Sequence, residues 1–264
     1  MQVRQYGEYL SAKGLPNDAL SDPFAHDYAV RDYKTYVKTE AKAKPRSVNL
    51  SLAAIDHFYL FLGMDQARVK REDLPAQSPQ SLKPEEQKAF LRAVERAPSI
   101  RDQAIARLLF YTALRLSECA DLNVDDVRVS ARKGLVIVRS GKGDSYREVP
   151  LNAEAREALK RWQKQRAKQF PKHADPALFL NLKGRRLSTR AIDLVISHLG
   201  VDAKLELSAH ILRHTCLTNL VRHGNDLVLV AEIAGHKRLE TTRRYSLPSL
   251  QDRENAMEKL YIDY

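Results

Sequence analysis

The sequence predicts a mainly helical α+β protein in two domains, with one small antiparallel β-hairpin. Three observations carry that expectation. Apolar residues recur at helical spacing over most of the chain. Only "GLVIVRSGKGDSYREVPL" breaks the pattern: Leu135–Val138 and Tyr146–Val149 are short β-like runs joined by a Gly/Lys/Gly/Asp/Ser turn. The stretch "REDLPAQSPQSLKPEE" places Pro75, Pro79 and Pro84 within ten residues, which is the composition of a linker. The expected organisation is a helical domain over 1–75, a linker over 76–82, and a second domain over 83–264 ending in a tail from 247.

The elements follow in order. Val48, Leu52, Ile55, Tyr59 and Leu62 alternate at spacings of four and three, one apolar face of a helix that Gly63 ends. Just before it, Lys34, Lys38, Lys42, Lys44 and Arg46 stand among few acids, as either a solvated face or a strip that contacts phosphates. Pro84 at a first helical position, with Glu85 and Glu86 in the first turn, starts the next helix. "FYTALRLSECADL" reads as an apolar helical stretch with Arg115 inside it and Glu118 on the same face. After the hairpin, helices are expected over 153–169, 188–199, 208–222 and 226–234, with Ser208 as an N-cap.

Composition narrows the function. At 264 residues and 44% hydrophobic, the chain can build real cores and is not disordered throughout. Its net charge of +11 points to a polyanionic partner, nucleic acid or an acidic membrane surface. Residues 77–264 carry +10 of that excess and residues 1–76 only +1. Two cysteines, Cys119 and Cys216, make neither a disulfide framework nor a zinc cluster, so a reducing cytoplasm is expected. "MQVRQYGEYL" lacks the apolar core of a signal peptide, and no run of about 18 apolar residues offers a membrane span.

Several polar residues fit poorly with apolar surroundings. Arg115 sits in one apolar stretch; His210, Arg213 and His214 sit in another, "SAHILRHTCLTNLV"; His236 and Tyr245 lie in "AGHKRLETTRRYS", nine residues apart. Arg243 and Arg244 precede the tyrosine, and Lys142 occupies the hairpin tip between two glycines. Each fragment alone has an ordinary structural reading. Together they supply what tyrosine-mediated phosphoryl transfer needs. A free phenol titrates near pH 10 and is a poor nucleophile at neutral pH, which positive charge and a neighbouring base correct. Two guanidiniums can grip the non-bridging oxygens of a phosphate, and a lysine can protonate the leaving oxygen. That chemistry calls for no metal or cofactor, and the sequence contains no HExxH, CxxC, Walker A or GxGxxG pattern.

At four places, in order, the chain resembles the tyrosine recombinases, the phage integrase family. "TALRLSE" is similar to the first-arginine motif (Arg115, Glu118), "SGKGDSYREVPL" to the hairpin-lysine motif (Lys142), "HILRHT" to the H-x-x-R-H box (His210, Arg213) and "AGHKRLETTRRYS" to the L-G-H-x8-Y box (His236, Tyr245). The resemblance spans about 83–248. Ala113, Cys216, Leu217 and Ala234 depart from the family pattern without removing a polar group.

The resemblance implies a two-domain, C-shaped clamp on duplex DNA. Tyr245 would attack a phosphodiester and leave a 3′-phosphotyrosyl link. Arg115, Arg213 and His236 would hold the phosphate, His210 would accept a proton or add a ligand, Lys142 would protonate the 5′ oxygen, and Glu118 would orient Arg115. It also implies inverted-repeat core sites, a tetrameric synapse, and exchange of the tail 247–264 between neighbouring subunits. The short N-terminal domain leans towards a compact Xer-like recombinase or a resolvase. The rivals are a type IB topoisomerase, which shares the phosphotyrosyl chemistry, and a DNA-binding clamp without catalysis.

Overall fold

The computed structural model describes residues 1–14, 19–74, 80–139, 146–171, 175–247, 254 and 257–258. The chain divides into two compact units, Met1–Ala76 and Gln77–Tyr264.

The first unit is helical: α1 (Gln2–Lys13), α2 (Pro23–Thr39) and α3 (Pro45–Phe61). Proline stands at the start of α2 and α3, where its missing N–H costs nothing. Asp22 caps α2 by accepting from the Phe24 amide at 2.7 Å. The α3 face read from the sequence is buried at Val48, Leu52, Ile55 and Tyr59, whereas Leu62, just past the helix end, is exposed. The core holds a bonded tyrosine pair, with the Tyr6 and Tyr59 hydroxyls 2.8 Å apart and Tyr59 donating onward to the Ala19 carbonyl.

The second unit contains α4 (Pro84–Arg96), α5 (Ile100–Thr112), α6 (Leu116–Asp121), β1 (Val127–Val129), β2 (Gly134–Arg139), β3 (Tyr146–Pro150), α7 (Ala153–Gln169), α8 (Thr189–Asp202), α9 (Ala209–Arg222), α10 (Leu227–Ala234) and α11 (Leu239–Arg243). The strands form one antiparallel sheet in the order β1-β2-β3, with Val136 opposite Val127 on one side and Val149 on the other. The expected hairpin is therefore the larger part of a three-stranded sheet. Three residues of β1 are too few to show alternation in sequence. Central α5 buries Ile105, Leu108 and Leu109 in the same core as Val136 and Val138 of the sheet and Leu159 and Trp162 of α7. Trp162 satisfies its indole N–H on the Leu178 carbonyl. Among the described residues no helix is long and apolar enough to cross a membrane.

One local reading needs correction. "FYTALRLSECADL" is not one helix. Ala113 adopts a left-handed conformation, φ 52° and ψ 23°, which ends α5. Arg115 is extended and becomes the N-cap of α6, with Glu118 in the first turn. The break places Arg115 at a junction, where its guanidinium is free to leave the helix surface.

Candidate active site

Four separate segments of the second unit meet at this junction. Arg115 donates from its backbone amide to Glu118 Oε2 at 2.7 Å and from Nη1 to Glu118 Oε1 at 2.7 Å. Its Nη2 reaches the Gly235 carbonyl at 2.9 Å, and the side chain remains 44% exposed. Glu118 is gripped from behind by Arg147 of β3, which donates from both terminal nitrogens at 2.9 and 2.8 Å. Burial, the largest influence, would raise the Glu118 carboxyl. Arg147 first, then the Arg115 amide and guanidinium, outweigh it and hold the group at about 2.

Arg213 is 5% exposed on α9. A buried guanidinium needs acceptors, and two helix ends provide them. Nη1 donates to the carbonyl of Ala113, where α5 stops, and Nη2 to that of Ala234, the last residue of α10, at 2.8 Å. Burial and then the Arg115 charge lower Arg213 to about 10, so it stays a cation at neutral pH.

Gly235 turns the chain after α10 with φ 63° and presents His236. Arg213 Nη2 donates to His236 Nε2 at 3.1 Å, and His236 Nδ1 lies 2.8 Å from the buried Thr242 hydroxyl. Since Nε2 accepts, the network assigns the proton to Nδ1. Burial, then Arg213 and Arg115, depress His236 to about 4, which keeps it neutral.

Tyr245 follows α11 and is 6% exposed, packed with Ala113, Cys216, Leu217, Val230 and Ala234. Burial raises its phenol, opposed by the charges of Arg213, Arg244 and Arg115. The phenol oxygen lies 2.6 Å from His214 Nδ1. His210, one turn earlier, is exposed, and its ring meets that of His214 edge-on at 4.1 Å. A cavity of about 1110 Å³ opens on the Arg115 side of the site, lined by Arg115, Glu118, Arg147, His236, Lys237 and Arg238 among others but by neither Tyr245 nor His214.

Of the expected catalytic set, Arg115, Arg213, His236 and Tyr245 are thus brought together with Glu118, and His210 joins them through His214. Lys142 lies outside the described residues, between the ends of β2 and β3, as does nearly all of the tail 247–264. Half-buried Arg244 acts electrostatically on Tyr245 and all three histidines, whereas the exposed side chain of Arg243 approaches Glu240 at 3.9 Å. The basic strip belongs to the first unit. Lys42, Lys44 and Arg46 are exposed, but Lys34 and Lys38 both bind Glu72 at 2.9 Å. Among the described residues no cluster of three His, Cys, Asp or Glu is placed to hold a metal.

Sequence reading passed over Arg147 and Thr242 here, and it singled out His214 without giving it a role. Arg147 did leave a signal. It stands two residues before buried Val149 and so faces the same side of β3, an arginine in a core-facing register.

The chain matches the phage integrase family over residues 80–250. It is 31% identical to the tyrosine recombinase XerA of Pyrococcus horikoshii, over 97% of this chain and 92% of that protein. It is 30% identical to the TnP I resolvase of Bacillus thuringiensis, over 88% and 82% of the two chains. Among solved structures, XerA recombinase superposes with a TM-score of 0.63 at 26% identity, covering 100% of this chain and 90% of that one. XerH recombinase bound to its difH substrate in a pre-cleavage complex gives 0.68 at 25% identity, covering 97% and 77%.

Proposed function

The chain belongs to the phage integrase family and is a tyrosine site-specific recombinase, and we propose that it cleaves and rejoins duplex DNA through a covalent bond to Tyr245. The observation that carries this reading is the convergence of two guanidiniums, a neutral histidine and a phenol from segments as far apart as Arg115 and Tyr245. Arg115 and Arg213 hold the non-bridging oxygens of the scissile phosphate, and neutral His236 steadies Arg213 by accepting from its Nη2. Glu118 fixes the angle of Arg115. Tyr245 attacks phosphorus, leaving a 3′-phosphotyrosyl link and a 5′ oxygen that Lys142 protonates. The two cations offset the charge that builds on the pentacoordinate phosphorus. The phosphotyrosyl link conserves the energy of the broken bond, so rejoining needs no ATP.

The Met1–Ala76 unit is assigned the contact with duplex flanking the cleavage point, through Lys42, Lys44 and Arg46, with Arg243 and Arg244 contacting the backbone near the phosphate. The full reaction runs in the cytoplasm between inverted-repeat core sites held in a homotetramer, with the tail 247–264 passed to a neighbouring subunit. Two likenesses support this recombinase reading over a relaxing enzyme: the XerH complex is a recombinase on its substrate, and TnP I is a resolvase.

The test is covalent trapping. The protein is mixed with fragmented DNA of its host and denatured, and attached DNA and peptide are identified, with Tyr245→Phe as the control. An adduct on Tyr245 at a few discrete loci supports the reading and yields the site. Scattered loci overturn it in favour of a topoisomerase, and enrichment without an adduct in favour of a binding clamp.

A further inference from the structure

The phenol of Tyr245 is bonded to His214, to which the reaction so far gives no part. Both residues are buried, and the contact is 2.6 Å. His214 is held neutral, at about 4, by burial first and then by His210, Arg244, Arg213 and His236. A phenol is un-ionised at neutral pH. With both groups neutral the bond can run either way; in the tautomer with its proton on Nε2, His214 accepts at Nδ1 and Tyr245 donates.

Among the described residues, the other groups at the site are not placed to take that proton. Arg115, Arg213 and Arg244 are cations with no lone pair. His236 uses Nε2 to accept from Arg213 and Nδ1 to bond Thr242, and its ring lies 6.3 Å from the Tyr245 ring in a stacked arrangement. His210 touches the His214 ring and is open to solvent.

We propose that His214, and not His210, is the general base for Tyr245. This rests on Tyr245 being the nucleophile. As the phenol oxygen bonds to phosphorus, its O–H bond breaks and the proton moves to His214 Nδ1. The bond from phosphorus to the 5′ oxygen breaks, and that oxygen takes its proton from a separate donor. On rejoining, Nδ1–H returns the proton to the phenol oxygen. Binding of DNA favours the transfer, because a phosphate placed beside Arg213 and Arg244 offsets their share of what depresses His214, the larger share being burial.

The test uses a nicked duplex built from the sequence recovered by trapping, with adduct formation followed in a single turnover. His214→Asn is the main variant, since a side-chain amide oxygen near the position of Nδ1 can accept the hydrogen bond but not the proton; His214→Gln is the second if the first does not fold. Each is combined with a fluorinated tyrosine at 245, whose phenol ionises at lower pH. With His214 as the base, His214→Asn slows adduct formation by about 100-fold or more at unchanged DNA affinity. Fluorination then restores at least about tenfold in the variant, because an ionised phenol needs no base. A His214→Asn rate within about threefold of the parent, or no selective gain on fluorination, overturns the assignment while leaving Tyr245 as nucleophile. A parent protein that forms no adduct on Tyr245 overturns the nucleophile, and this inference with it.

Discussion

Arg147 lies flush against the α-carbon of Gly235. A methyl group built on that carbon would stand 2.7 Å from Nη1 and 2.9 Å from Cζ of the guanidinium. The same guanidinium bonds the Ile233 carbonyl at 3.0 Å and both oxygens of Glu118. The glycine before His236 is thus demanded twice, by its left-handed φ of 63° and by an arginine from the sheet. Gly235→Ala is expected to lose about 1–2 kcal/mol to backbone strain and a further increment to the clash. In an Arg147→Ala background only the strain component remains. Denaturant titration of the four proteins checks this; equal costs in both backgrounds would show that Arg147 does not press on Gly235.

Arg147→Lys keeps the charge but cannot make the two-pronged bond to Glu118. Arg115 then loses the rigid support of its carboxylate partner. Adduct formation on the nicked duplex is expected to fall by about 100-fold, the scale of a displacement near 1 Å at a reacting group, with DNA affinity nearly unchanged. Affinity falling in parallel with rate would mean that Arg147 contacts DNA directly.

Glu118 predicts an acid limb in stability. Its folded value of about 2 lies below the ordinary 4.5, so the stability it contributes is fully present above about pH 4.5 and is lost as pH falls through about 2. Each unit corresponds to ~1.4 kcal/mol, giving about 3 kcal/mol in all. Glu118→Gln is less stable than the parent at neutral pH, and the gap narrows between pH 4.5 and 2. A gap that stays constant across that range would show that the ionised carboxylate is not what Arg115 and Arg147 hold.

Much of this site was legible before the fold. The spacing of Arg115, Arg213, His236 and Tyr245 within motifs survives any error in element boundaries, because motif order carries the chemistry. What stayed hidden were contacts between distant segments. The sequence puts Arg147 29 residues from Glu118 and 88 residues from Gly235 (147 − 118 and 235 − 147), and only the packing of β3 against the turn after α10 joins them. The break at Ala113 was missed because alanine favours helix, and a left-handed alanine is imposed by tertiary packing rather than propensity. The lysines of the first unit read alike in sequence, yet Glu72, which returns from beyond α3, ties down Lys34 and Lys38 and leaves Lys42 and Lys44 exposed.

Thr242 is fully buried, and its hydroxyl lies 2.8 Å from His236 Nδ1. Arg213, which can only donate, occupies Nε2 and puts the His236 proton on Nδ1, and the Thr242 hydroxyl gives that proton its acceptor. Without the hydroxyl, the ring must either leave Nδ1–H unpaired in the interior or move the proton to Nε2, where it would face the N–H of Arg213 donor to donor. Either outcome is unfavourable. Thr242→Val preserves shape and removes only the hydroxyl, so it is expected to cost about 1–3 kcal/mol, the penalty for an unsatisfied buried donor, and to slow adduct formation by loosening His236 and, through it, Arg213. Thr242→Ser keeps the hydroxyl and is expected to retain near-parental rate despite the lost methyl. Melting curves and single-turnover rates for the pair separate the two effects: a slow Thr242→Ser protein, or a fast Thr242→Val one, would show that packing rather than the hydrogen bond sets the histidine.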